Sequence, residues 1–98
     1  MRLKFSGEIW FRKGLSPFHF VTVPPEESEQ LHAVSALVTY GWGVIPVVAH
    51  VGGTTWKTSL FPKDDSYLVP IRVSVREAEG LDLGDTIEVV LSVGDKRS

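Results

Sequence analysis

The sequence predicts a mainly β fold: a small, partly open β-barrel of about six strands, with one amphipathic helix over about 25–38 and one short helix over about 73–79. Three observations point there. Ile87, Val89, Leu91 and Val93 alternate with Thr86, Glu88, Val90 and Ser92, and a period of two turns one row of a strand toward a core. Two strand-like runs, 44–51 and 54–61, flank Gly52-Gly53, and the favoured two-residue hairpin turns need positive φ. Leu31, Val34, Leu37 and Val38 form a stripe at helical spacing behind a proline-led, acidic start.

Taken in order, Leu3, Phe5, Gly7, Ile9 and Phe11 alternate with Lys4, Ser6, Glu8, Trp10 and Arg12. This reads as one first strand with a charged face, on which Trp10 rests under the long helix. Gly14 to Pro17 is a loop. Phe18 to Val23 is a second strand whose two faces are both apolar, so the core-facing side stays open between Phe18/Phe20 and Val21/Val23. Pro24-Pro25 ends it and suits a helix start, because the first turn has no use for the donor that proline lacks. Glu26, Glu27 and Glu29 then sit at the positive end of that helix. Gly41-Trp42-Gly43 breaks it. Trp42 is read as a plug over a barrel end, with an exposed recognition group as the alternative.

A two-residue turn at Gly52-Gly53 sets Val51 against Thr54, Ala49 against Trp56, Val47 against Thr58 and Ile45 against Leu60 as the inward set. His50 with Thr55 and Val48 with Lys57 then face outward. Pro46 cannot donate to a ladder, which makes its strand an edge at that point. Pro62 to Ser66 reads as a polar turn, and a short strand follows it. Ile71, Val75 and Ala78 stand at i, i+4 and i+7 on one helical face, with Arg72, Arg76 and Glu79 on another. The β-branched Val73 and Val75 oppose that helix. Gly80 stands where a left-handed residue ends a helix. Gly84-Asp85 forms a tight turn before the last strand, and residues 94–98 are a tail.

Ninety-eight residues make one domain, 1–98, which buries roughly 60–65% of its unfolded surface. The 43% hydrophobic and 22% charged composition is that of an ordinary globular chain. A net charge of −2 argues against a dedicated nucleic-acid binder. Without cysteine there is neither a disulfide nor a thiolate metal site, which fits a cytoplasmic protein. No apolar run reaches the ~20 residues of a membrane span, and the first eight residues do not read as a signal peptide.

Several motifs together carry a resemblance. Gly41-Trp42-Gly43-Val44-Ile45-Pro46-Val47 comes first, then Gly52-Gly53-x-x-Trp56-Lys57-Thr58-Ser59-Leu60-Phe61-Pro62. Tyr67-Leu68-Val69-Pro70, Val75-Arg76-x-Ala78-x-Gly80 and Gly84-Asp85-Thr86 follow. From Phe5 to Val93 the chain resembles a bacterial family of small proteins, the domain of unknown function numbered nineteen-oh-five. The resemblance implies a double-split β-barrel, the architecture also used by transition-state-regulator and antitoxin DNA-binding domains. It implies no activity. The Gly80-Leu81-x-x-Gly84-Asp85 corner recurs in those DNA-binding cousins and marks fold rather than function.

No complete catalytic constellation stands in the sequence. His19, His32 and His50 lack metal-ligand spacing, and no nucleophile elbow is present. The run from Gly52 to Lys57-Thr58 is no phosphate loop, because Trp56 stands where glycine must precede the lysine and no helix follows. Asp64-Asp65 is a solvated turn. Trp56, on an inward row, is core. No cofactor and no metal are expected, and an enzyme is the less favoured reading.

The residues favour a non-enzymatic binding or interaction module, taken to be a monomer because one chain carries a whole barrel. A nucleic-acid-binding or regulatory domain is the alternative, on fold analogy alone. The expected partner is a small anionic ligand or a protein. Its site is placed where Lys57 meets the helix bearing Arg72 and Arg76, with Tyr67 as an additional donor. Convergent cations attract phosphate or carboxylate, which arginine clamps in bidentate fashion. The competing account pairs those arginines with Glu77, Glu79 and Asp85.

Overall fold

The computed structural model describes residues 1–13, 18–38 and 44–94. Its elements are β1 (Arg2–Glu8), β2 (Trp10–Arg12), β3 (Phe18–Thr22), α1 (Pro25–Val38), β4 (Ile45–Val51), β5 (Thr54–Lys63), β6 (Ser66–Pro70), α2 (Val73–Glu79) and β7 (Thr86–Val93). The seven strands form one antiparallel sheet in the order β1-β7-β4-β5-β6-β3-β2, curled into a half-barrel. Both helices stand where the sequence places them.

The strand count is seven rather than about six because the first strand breaks at Ile9. β1 pairs with β7 from Arg2↔Ser92 to Glu8↔Thr86. β2 leaves for the opposite edge of the sheet and pairs with β3, Trp10↔Phe20 and Arg12↔Phe18. Ile9 remains buried at the corner. Its N–H donates to the Asp85 carbonyl at 2.9 Å, and its carbonyl accepts from Gly84 N–H at 2.9 Å. Past that corner the inward row runs off the end of the core, so Phe11, expected inside, is 41% exposed. Trp10 stacks on Phe20, with ring centroids 5.4 Å apart, and donates to Thr22 Oγ1 at 2.9 Å. Those contacts hold Trp10 against β3.

Gly7 lets the two ends of the sheet approach. A Cβ there would lie 2.5 Å from Val21 Cγ1, and Val21 is fully buried. Of the two faces of β3, Val21 and Val23 point into the main core, while Phe20 is buried on the other side. The second strand is thus buried on both faces.

The β4–β5 hairpin has the expected register throughout, including Ala49↔Trp56, Val47↔Thr58 and His50↔Thr55. Gly52 has φ 58° at the first central position of the turn, as a type II′ hairpin requires. Pro46 and Pro62 both sit where one side of a strand has no partner. β4 pairs with β7 only from Val47 to His50, which leaves Pro46 outside that ladder. β5 pairs with β4 only as far as Leu60. Pro62, expected in a turn, instead lies within β5 opposite Tyr67. Neither proline costs a ladder bond on its free side.

α1 begins on Pro25, and Ser28 N–H already bonds the Pro24 carbonyl at 2.9 Å. Leu31 is fully buried and Val34 packs on the core. Ser28 is also buried, its hydroxyl donating to the Val23 carbonyl at 3.1 Å. The side chains of Leu37 and Val38, the Gly14–Pro17 loop, the expected plug Trp42 and the tail residues 95–98 lie outside the described residues.

Candidate ligand-binding site

α2 is short, and its position depends on its ends. Its first anchor is Ile71, buried just before the helix, whose N–H donates to the His19 carbonyl at 2.9 Å. Val75, one turn on, is the buried residue of the helix itself. The third member of the predicted apolar face, Ala78, is exposed. Gly80 closes the helix in the left-handed region, φ 64° and ψ 40°. Its N–H and that of Leu81 both reach the Arg76 carbonyl, so the carbonyl is satisfied where the helix stops.

Glu79 supplies a further tie. Its Oε2 accepts from Thr54 Oγ1 at 2.5 Å and from Gly53 N–H at 3.2 Å. The helix end is thereby pinned to the tip of the β4–β5 hairpin. A Cβ on Gly52 would collide with Glu79 Oε1, so the glycine makes room for the carboxylate as well as for the turn.

Between α2 and the ends of β2, β3 and β5 lies a cleft of about 580 Å³. Arg72, Arg76, His19 and Thr58 supply its polar groups, and Phe11, Phe61, Pro70, Ile71 and Val73 the rest. Arg72 Nη2 donates to the Lys57 carbonyl at 2.8 Å. Lys57 and Arg72 therefore meet, though through the lysine backbone, and the Lys57 side chain is on the exposed row. Arg76 is half-buried on the same cleft, and its Nε is buried without a hydrogen-bond partner among the described residues. Tyr67 is not brought to this cleft. It is 3% exposed, and its hydroxyl meets His32 Nδ1 of α1 at 3.3 Å, with the rings 5.1 Å apart.

The acids expected to neutralise the arginines are engaged elsewhere or stand apart. Glu79 holds the hairpin. Asp85 Oδ2 accepts from Asp82 N–H at 2.8 Å. Glu77 is exposed. Among the described residues the ion pairs are Lys4–Glu88 and Lys63–Asp64, and neither involves Arg72 or Arg76.

His19 and Phe11 are the site residues that the sequence reading missed. They face each other across β2 and β3 with ring centroids 5.2 Å apart. Burial, and then the Arg76 guanidinium, hold the His19 pKa below its ordinary value, so the ring is biased toward the neutral form that donates at one nitrogen and accepts at the other. His19 shares a row with Val21 and Val23, which face the core, and the sequence alone leaves the core-facing row of this strand open between two apolar faces.

A second recess of about 670 Å³ is lined in part by Arg2, Lys4, His50, Glu79 and Glu88. Its cations are matched by carboxylates, Lys4 to Glu88 at 3.7 Å among them, so it offers an anion little net attraction. Among the described residues no three histidine or carboxylate side chains are placed to hold a metal ion, and no helix is long and apolar enough to cross a membrane.

Residues 5–91 match the family described as domain of unknown function (DUF1905). No curated protein matches the chain.

Proposed function

The chain belongs to this domain family of unknown function, and we propose that it is a non-enzymatic binding module that holds a small anion against α2. One observation carries the reading: two arginines line one cleft, and among the described residues no carboxylate pairs with either. A guanidinium with an unspent buried donor is matched by a planar or tetrahedral oxyanion. Lys57 contributes its backbone carbonyl, which holds the Arg72 guanidinium, and Tyr67 takes no part. The module acts as a monomer in the cytoplasm, where a cysteine-free chain is at home, and its half-barrel is read as the double-split type.

The test is binding of small anions followed by amide chemical shifts and calorimetry. Perturbations should gather on His19, Ile71, Arg72 and Arg76. Replacing Arg76 by glutamine should weaken binding by roughly ten- to a hundredfold, since a hydrogen bond to a charged group is worth about 1.5–3 kcal/mol. Shifts scattered over the surface, or equal binding by the variant, would refute the site.

A further inference from the structure

We infer that the ligand of this cleft is an amphipathic monocarboxylate, its carboxylate clamped by Arg76 and its aromatic or branched apolar body lying among Phe11, Phe61, Ile71 and Val73. The inference rests on the anion-binding reading above and narrows it.

Size is the first argument. Small-molecule sites occupy roughly 300–1,000 Å³, and this cleft measures about 580 Å³. A bare inorganic anion would fill a small part of it and leave the remainder as wetted apolar wall. The second argument is what that wall is made of. Five large hydrophobic side chains are exposed among the described residues, and three of them, Phe11 at 41%, Phe61 at 44% and Val73 at 58%, line this one cleft. Scattered exposed apolar residues need no explanation, but a cluster beside unpaired cations does. An apolar body covers the cluster while the charged end meets the cations.

The third argument is the donor inventory. Arg72 already commits one Nη2 donor to the Lys57 carbonyl. Arg76 keeps its Nε uncommitted among the described residues, and the Nε–Nη edge of a guanidinium is a two-pronged fork matched to one carboxylate. That fork suits one carboxylate, Arg72 keeps its remaining N–H groups and Thr58 its hydroxyl on the same wall, and His19, biased to its neutral form, adds a hydrogen bond but no further charge. The Phe11–His19 pair, set edge to face at 67°, leaves ring surface for an aromatic guest to pack on.

The experiment titrates the parent protein, observed by amide shifts and calorimetry, with phenylacetate, indole-3-acetate and 4-methylpentanoate. Acetate, 2-phenylethanol and inorganic phosphate serve as the matched controls. At least one amphipathic acid should bind ten or more times more tightly than acetate, phosphate and 2-phenylethanol, with shifts on His19, Ile71, Val73 and Arg76. Val73→Ser, an exposed change on the helix surface, should weaken the amphipathic acids severalfold and leave phosphate unaffected. Arg76→Gln should weaken them about tenfold. If acetate or phosphate binds at those residues as well as the amphipathic acids do, the anion site stands and the amphipathic ligand falls. If 2-phenylethanol matches phenylacetate, the carboxylate clamp falls. If none of the six perturbs the cleft, both readings fall.

Discussion

Replacing Glu79 by alanine should loosen α2 from the barrel. The carboxylate accepts one bond from a part-buried hydroxyl, Thr54 Oγ1 at 2.5 Å, and one from the exposed Gly53 N–H at 3.2 Å. Hydrogen bonds to charged groups contribute about 1.5–3 kcal/mol in protected sites. The exposed Gly53 bond competes with water and adds little, so the expected loss is about 2 kcal/mol, near the lower end of that range. For a domain of this size each 1 kcal/mol moves the midpoint by roughly 4–8 °C, which makes the expected fall about 8–16 °C.

A double-mutant cycle separates the contact from side effects. Thr54→Ala, Glu79→Ala and the double variant are compared by urea unfolding at neutral pH, and the pair should show a coupling of about 1 kcal/mol. If the two losses add within about 0.3 kcal/mol, the residues act independently and Glu79 does not tie the helix to the hairpin. A second readout follows from position. Glu79 does not line the cleft, yet its loss should weaken ligand binding there, because the helix that carries Arg76 and follows directly on Arg72 has lost one of its anchors.

Three further outcomes are expected. Gly80→Val should destabilise by more than ~1 kcal/mol, whereas Gly80→Asn should keep most of the stability. Nothing lies within 4 Å of the added Cβ, so the cost is that of the left-handed backbone alone and should follow each residue's tolerance of it; equal thermal midpoints for the two variants would contradict this. Gly7→Ala should cost about 1–3 kcal/mol by overpacking, read by urea unfolding, because its methyl meets the buried Val21 side chain; a variant as stable as the parent would show that the sheet ends yield there. His19 should titrate below 6.5 for two reasons, burial first and Arg76 second. The unfolded chain then binds the proton more readily, so its contribution to stability falls as pH drops from about 6.5 toward the depressed native value. Arg76→Gln should return only part of the shift in an NMR titration, and a full return would make burial the lesser cause.

The parts of this fold legible in the sequence are those with local causes. Two glycines set the hairpin, and every pair from Ile45↔Leu60 to Val51↔Thr54 follows by counting outward. Pro25 and Gly80 mark a helix start and a helix stop for reasons contained in single residues. The break at Ile9 has no such local cause. Alternation runs straight through from Leu3 to Phe11, and the chain turns because Ile9 bonds to the Gly84–Asp85 corner, far away in sequence. Periodicity reports which side a residue faces, not which neighbouring strand it follows.

The site divides in the same way. Arg72 and Arg76 were legible as an i, i+4 pair on a helix whose ends were marked. Tyr67 lies apart from the cleft because nearness along the chain is not nearness of side chains. Tyr67 and Val69 share the core-facing row of β6, and Tyr67 ends against His32 of α1 rather than at the cleft. His19 needed the opposite inference. Its row was fixed only when Val21 and Val23 proved to face the core, and a strand buried on both faces hides that choice from any count of apolar residues.

That difference also bears on why the arginines stay unpaired. Arg76 and Glu79 stand three apart on one helix, a spacing at which opposite charges commonly meet. Here Glu79 turns away to the hairpin tip, where Gly52 leaves room for it. An exposed ion pair between the two would contribute little, about 0.3–0.5 kcal/mol at helical spacing, whereas the bond to Thr54 is stronger and part-buried. The stronger contact therefore sets the rotamer, and it leaves the guanidinium on the cleft without its nearest acid. The same carboxylate that fixes the helix in place thus keeps the positive charge of the cleft uncancelled, so Glu79→Ala and Glu79→Gln should both lower anion affinity through the helix, and neither should raise it by unmasking Arg76.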